Sequence, residues 1–206
     1  MRNRKLIDAL SLGVCITAAT IAALSIWHLP ARPDSAVAGE IGRTLAREAV
    51  AVLPKGGRVV VIARDLSAYR QPAMEISLRE FQREVEKAGG NVAMRPIELD
   101  PLRPVEVPPG DFYEAIRRAK TNEVIVSFLG PPVLAPEQQE KLPAVKPKII
   151  ALCTGSLAAH TDLGTLSRSG LLHAAIVNRA KSPETKTASA ALSFGQLYAV
   201  IRQGQK

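Results

Sequence analysis

Aromatic residues, cysteines and histidines are scarce in this 206-residue sequence. Aromatics make up 4% of the chain and hydrophobic residues 47%, so the core must consist mainly of Val, Ile, Leu and Ala, which favours a sheet covered by helices. Cys15 lies in the first apolar run and Cys153 in a predicted strand, so no disulfide framework is expected. The histidines lack the close spacing of zinc ligands. We therefore expect no metal and no other cofactor.

Motifs that bind nucleotides or activate a nucleophile are missing as well. The chain has no G-x-G-x-x-G after its first predicted strand, no G-x-x-x-x-G-K-[ST] loop and no G-x-S-x-G elbow. Its net charge of +8 is spread along the sequence without stacking aromatics, so nucleic acid is not an expected partner. A nucleophilic Cys153 paired with His160 is the one enzymatic alternative, and a buried cysteine more often fills an apolar site. The sequence therefore predicts a protein that is not an enzyme.

The longest apolar run extends from Ala9 to Leu29, and His28 is its only ionisable side chain apart from Cys15. At about 1.5 Å per helical residue it spans roughly the 30 Å hydrocarbon core of a bilayer. Arg2, Arg4 and Lys5 precede it, and such charge stays on the cytoplasmic side. The sequence predicts a single-pass helix in the inner (cytoplasmic) membrane, with the N-terminus cytoplasmic and the bulk of the chain periplasmic or otherwise extracytoplasmic.

A cleaved signal peptide is the alternative reading of this run. The basic start and the Ala36-Val37-Ala38 pattern before Gly39 fit a cleavage site. The apolar run, however, is longer than the about 7–15 residues of a usual signal peptide core, and it lies some way from that site. We predict an uncleaved anchor and keep cleavage as the alternative.

Strand and helix patterns alternate after the apolar run. β-Branched runs predict strands at 58–63, 91–99, 123–128, 148–153 and 171–178, and helical spacing predicts helices at 39–53, 73–88, 111–120, 136–142 and 156–167. This alternation predicts an α/β fold, a doubly wound, mostly parallel five-stranded sheet of flavodoxin-like order with helices on both faces. The final apolar run, 193–202, either adds an antiparallel edge strand or pairs with a partner.

These patterns divide the chain into four parts. Residues 1–30 form the basic end and the anchor, and 31–56 form a linker and an amphipathic helix that packs on the domain or on a neighbouring subunit. The α/β domain covers 57–180, and a polar linker with the strand-like tail covers 181–206.

Ligands of open α/β sheets bind beyond the carboxyl ends of the strands. The stretches at those ends are 64–67, 129–132, 153–156 and 178–179, and they include Asp65 and Ser67 after the first strand, Gly130 after the third, and Thr154, Gly155 and Ser156 after the fourth. The Thr-Gly-Ser turn has backbone N–H groups that could bind an anion at a helix start. We take these six residues as the predicted ligand site.

Several segments together resemble one lobe of a type I periplasmic binding protein over roughly residues 58–178. They are RVVVIARD at 58–65, KAGGN at the end of a helix at 87–91, EAIRRAK at 114–120 before EVIVSF at 123–128, and KPKIIAL at 146–152. Members of that family close two such lobes around a sugar or an amino acid, whereas this chain has length for one.

Two functions follow from these features. The first is a non-catalytic, membrane-anchored accessory or scaffold subunit, whose partners are other membrane protein subunits or further copies of itself. The alternative is an extracytoplasmic solute-binding or sensory module that completes its cleft by dimerisation or with a partner. In both cases residues 9–29 contact the lipid bilayer.

Overall fold

The computed structural model describes residues 35–67, 70–99, 106–155, 160–179 and 193–204. All of them belong to one compact unit, Asp34–Lys206. Within these ranges no helix combines the length and the apolarity that a bilayer crossing requires. The predicted anchor at 9–29 lies outside the described residues and stays a prediction.

A single six-stranded sheet forms the centre of the unit. Its strands are β1 (Arg58–Arg64), β2 (Asn91–Ile97), β3 (Glu123–Ser127), β4 (Lys148–Cys153), β5 (Ala174–Asn178) and β6 (Tyr198–Arg202). Their order is β2-β1-β3-β4-β5-β6, and the first five are mutually parallel. The predicted doubly wound α/β class is therefore confirmed, with β2 at one edge, as the alternating pattern and Pro96 of this strand favour.

The predicted count of five strands is wrong by one. β6 pairs antiparallel with β5, with Ile176 opposite Val200, so the tail forms the edge strand that was one of its two predicted roles. A short helix precedes β6 within this run, because Ser193 and Gln196 form a capping box in which the Ser193 N–H donates to Gln196 Oε1 at 2.7 Å.

Helices cover both faces of the sheet. They are α1 (Ser35–Val52), α2 (Pro72–Lys87), α3 (Pro109–Arg118), α4 (Pro136–Glu140), α5 (Leu163–Arg168) and α6 (Phe194–Leu197). On the first face α1 and α2 pack on Val59, Val61, Val124, Val126 and Ile150. On the second face α3 packs on Ile62, Ile125 and Ile149, while α5 lies over the smaller residues of β4 and β5.

Helix α1 precedes the sheet in the chain but belongs to its core. Leu45, Ala46 and Ala49 are fully buried. Of the two predicted positions for this helix, on the domain or on a neighbouring subunit, the structure therefore shows the first. The helix begins four residues before the predicted start at Gly39, because Val37 and Ala38 continue the apolar stripe and are buried as well.

The contact between α1 and α2 is close enough to require a glycine. A Cβ atom on Gly42 would lie 2.1 Å from the carbonyl oxygen of Ser77. The Ser77 hydroxyl donates to the Ala38 carbonyl at 2.7 Å. Since Ala38 meets Ser77 and Gly42 meets Phe81, the two helices run parallel, and both begin at the edge where β1 ends.

Candidate ligand site at the carboxyl ends of the strands

The carboxyl ends of β1 and β3 form the topological switch point of the sheet. β1 lies between β2 and β3. The chain leaves β1 toward α2 on the first face, whereas it leaves β3 toward Leu134 on the second face. Connections that depart to opposite faces leave a crevice between neighbouring strands, and ligands of such sheets bind there.

Asp65 and Ser67 occupy the β1 side of this crevice. The Asp65 N–H donates to the Ile97 carbonyl at 2.9 Å, which fixes the chain beside β2. The Ser67 N–H donates to Asp65 Oδ1 at 2.8 Å. This bond and the Ser67 hydroxyl lower the pKa of Asp65, so the carboxylate is ionised at neutral pH. It is a half-exposed acceptor at the switch point.

Gly130 on the β3 side shapes the loop and does not face solvent. It has a φ of +105°, a backbone conformation that glycine adopts without strain. Gly130 and the two prolines that follow it are buried. The buried Ser127 hydroxyl accepts the Leu129 N–H at 3.2 Å and supports the turn. Gly130 therefore determines the course of the loop backbone. Because it is buried, it cannot make the direct contact with a ligand that the sequence prediction required.

Gly155 is joined to Asn178, a residue outside the predicted set. The Gly155 N–H donates to Asn178 Oδ1 at 3.0 Å, so this N–H is not free for an anion. Thr154 is half-buried beside it, and Ser156 lies outside the described residues. The sequence did carry a signal for Asn178, because an amide at the end of the last parallel strand belongs to the same edge.

The structure thus places the polar groups of this edge in two separate pairs, Asp65 with Ser67 and Gly155 with Asn178, rather than in one cluster. Strands β3 and β4 separate Asp65 at the end of β1 from Asn178 at the end of β5. With about 4.8 Å between neighbouring strands, the two polar pairs lie roughly 14 Å apart. They line one open edge of the sheet, so a ligand held by both pairs would need cover from a second surface.

A pocket of about 230 Å³ lies at the opposite edge, where β3 and β4 begin. The residues that line it are Val52, Pro54, Ala119, Lys120, Thr121, Glu123, Val124, Val145, Lys146, Pro147 and Lys148. No sequence pattern indicates this pocket, because its lining comes from three separate stretches of the chain, 52–54, 119–124 and 145–148.

Among the described residues, Glu123 is the single acid that lines this pocket, and it forms an ion pair with Arg58. It is 6% exposed and accepts the Lys120 N–H at 3.0 Å and the Arg58 Nε–H at 3.0 Å. Burial alone would raise the pKa of Glu123, but these two hydrogen bonds and the positive charges of Arg58 and Lys120 outweigh it, so the pKa lies below its usual value. Glu123 is therefore an ionised structural anchor for β1 and β3.

The described part of the chain shows neither a group of metal ligands nor a reactive cysteine. Within it, no three His, Cys, Asp or Glu residues are grouped so that they could hold a metal ion. Cys153 is fully buried, and burial raises the pKa of its thiol. His160, the proposed base, is exposed. A buried thiol with a raised pKa does not supply a thiolate.

Comparison with known proteins gives similarity in fold only. No family model matches the sequence, and no curated protein matches it. Similar solved structures include a periplasmic ribose ABC transporter protein from Conexibacter woesei. Its sequence identity is 14% and the TM-score is 0.46, and the match covers 68% of this chain and 45% of that one. A sugar-binding protein of an ABC transporter from Bacillus halodurans has 12% identity, a TM-score of 0.49, and coverage of 81% and 62%.

An enzyme is also among the similar structures. The ureidoglycine-glyoxylate aminotransferase of Bacillus subtilis has 14% identity, a TM-score of 0.44, and coverage of 82% and 37%. The chain spans about half the length of the first periplasmic proteins that it matches. Its resemblance to one lobe of the periplasmic sugar-binding proteins, expected from the sequence, is confirmed.

Proposed function

We propose that this chain is a solute-binding module that holds one half of a cleft for a small polar solute. The observation that supports it is the polar, open carboxyl edge at the switch point. Along this edge the ionised Asp65 at the switch point and the exposed Asn178 amide at the end of β5 present groups that bind hydroxyl and ammonium groups. The buried Cys153 thiol at the end of β4 has a raised pKa, and the described residues contain no group of metal ligands.

The second half of the cleft comes from another polypeptide in this proposal. Pocket-bound ligands usually bury about 70–90% of their surface, and a single open edge cannot enclose a solute to that extent. A second copy that faces the first across this edge, or a partner protein, would supply the missing wall. Solute should therefore bind more tightly at protein concentrations that favour the dimer.

The protein is further proposed to remain anchored through residues 9–29. The structure bears on the alternative, because the Ala-x-Ala site before Gly39 lies inside α1. Cleavage there would remove Ala38, whose carbonyl accepts the Ser77 hydroxyl, and the buried Val37. Extraction of membranes with alkaline carbonate should leave the chain in the pellet, and a mature N-terminus at Gly39 would contradict the proposal.

Thermal unfolding of the full chain in a mild detergent tests the solute site. A panel of monosaccharides and amino acids is added at about 10 mM, and a bound solute stabilises the fold by RT ln(1 + [L]/Kd). Asp65→Asn should abolish the shift caused by an active solute. The matched control Glu86→Gln removes one exposed charge at the far end of α2 and should leave the shift unchanged.

Two outcomes would count against this function. One is that no member of the panel shifts the unfolding transition at any protein concentration. The other is a shift that both substitutions reduce equally, since this would reflect net charge rather than a site.

A further inference from the structure

The pocket at the amino ends of β3 and β4 carries an unbalanced positive charge. Lys120, Lys146 and Lys148 line it. Among the described residues no acid lies within ion-pair distance of the three, and Glu123, on which the Lys120 charge also acts, is bonded to Arg58. Among the described residues, Lys146 Nζ has the Ser169 carbonyl, at 3.4 Å, as its partner. The charge of this pocket is therefore complementary to an anion.

The pocket is also apolar. Val145 is 75% exposed and stands at its rim, and Val52, Pro54 and Val124 line it as well. Apolar side chains scattered singly on a surface need no explanation, but Val145 borders a concave site with further apolar lining, where it would contact an apolar group of a bound partner.

The size and stiffness of the pocket favour a protein segment over an enclosed small molecule. Its volume of about 230 Å³ is below the about 300–1,000 Å³ of sites that enclose drug-sized ligands. It suits one or two inserted side chains. Pro147 in the lining and Pro143 nearby fix φ in the loop that carries Val145. A loop that is already ordered loses less entropy when it binds a partner.

We propose that this pocket docks an extended acidic segment of a partner protein. The segment inserts an apolar side chain against Val52 and Val145, and its flanking carboxylates contact Lys120, Lys146 and Lys148. This site lies at the edge of the sheet opposite to the solute edge, so it does not rest on the proposed solute function. It would join the module to another subunit and leave the carboxyl ends of the strands open.

Fluorescence anisotropy with the full chain in a mild detergent tests the proposal. The probe is a fluorescein-labelled peptide, Asp-Glu-Leu-Asp-Glu, and the control probe is its neutral counterpart, Asn-Gln-Leu-Asn-Gln. The double variant Lys146→Gln, Lys148→Gln should raise the Kd of the acidic peptide about tenfold, because two close charge pairs are lost. Val145→Ser should raise it about threefold through the lost apolar contact.

The matched control is the double variant Lys87→Gln, Lys141→Gln. It removes the same charge from two exposed lysines outside the pocket, and the Kd should stay within about twofold of the unchanged chain. Weakening by both double variants to the same extent would overturn the proposal, since it would show attraction to the net charge alone.

Three other results would also overturn it. They are the absence of acidic-peptide binding up to about 1 mM, equal binding of the neutral peptide, and a Kd that Val145→Ser does not change. Displacement of the peptide by inorganic phosphate at about 10 mM, with the same dependence on Lys146 and Lys148, would identify a small-anion site instead.

Discussion

The substitution Gly42→Ala should destabilise the domain, even though alanine is the better helix former. Gly42 lies within α1 where this helix meets α2, and a Cβ atom there would be 2.1 Å from the Ser77 carbonyl oxygen and 2.9 Å from its carbon. Both are backbone atoms, so no side-chain rotation can relieve the clash. The two helices would have to move apart.

The magnitude follows from two opposing terms. Overpacking of a well-packed interface costs typically about 1–3 kcal/mol, and a clash with rigid backbone belongs at the upper end of this range. The exchange of glycine for alanine within a helix returns about 1 kcal/mol. The net loss is about 2 kcal/mol, which corresponds to a fall in Tm of roughly 4–8 °C for a domain of this size.

Gly39 provides the matched control on the same helix. A Cβ atom there would meet Arg43 Nη1 at 3.3 Å and Glu80 Cγ at 3.6 Å, and both belong to flexible side chains. In Gly39→Ala most of the roughly 1 kcal/mol by which alanine favours a helix over glycine should therefore be retained, and Tm should rise by about 2–4 °C. Circular dichroism at 222 nm during heating measures both variants. A Gly42→Ala variant that melts at or above the temperature of the unchanged chain would refute the packing of α1 on α2.

Three further predictions concern other buried contacts. Ser77→Ala removes the hydroxyl that donates to Ala38, and it should lower the free energy of unfolding by about 1 kcal/mol in urea titrations. The lowered pKa of Glu123 stabilises the fold above the usual pKa of a glutamate, and this contribution is lost as the pH falls through the folded-state value. Glu123→Gln should therefore flatten the decline in Tm below about pH 4.5, measured from pH 7 to pH 3, and a decline that persists unchanged would contradict this role. In a Cys15→Ala background the buried Cys153 should react with Ellman's reagent only after denaturation, and reaction in the folded state would contradict its burial.

The strands could be predicted because they consist almost entirely of apolar residues. β1, β3 and β4 are nearly continuous runs of Val, Ile, Leu and Ala, and such runs are typical of strands buried on both faces. β5 begins at Ala174 rather than at the predicted Leu171, because Leu171 and Leu172 follow the end of α5 and pack against the sheet from outside the strand. Hydrophobicity alone could not separate the two roles.

The position of α1 could not be predicted in the same way. Its pattern defines an apolar face, but the same face would suit packing on the sheet or on a neighbouring subunit. The surface that it covers, and the need for glycine at 42, depend on Ser77, which lies 35 positions away. Short-range patterns carry no information about such a contact.

The candidate ligand site was predicted in part. The rule for parallel sheets indicated the edge, and Asp65 and Ser67 lie there at the switch point. The rule could not show that Gly130 is buried or that Asn178 occupies the Gly155 N–H. Those facts depend on the three-dimensional path of each loop.

The chemical difference between the two edges follows from the parallel topology. All five parallel strands begin at one edge, so Lys120, just before β3, and Lys148, at the start of β4, come together there despite their separation in sequence. Helices α1, α2 and α3 end near this edge, and cations close to a helix C-terminus are stabilising by about 0.3–1 kcal/mol. Lys120, two residues after α3, therefore has a structural role even without a ligand. Lys146 and Lys148 lie on no helix, so their replacement should leave stability nearly unchanged, and a loss of peptide binding in that double variant would report on recognition rather than on folding.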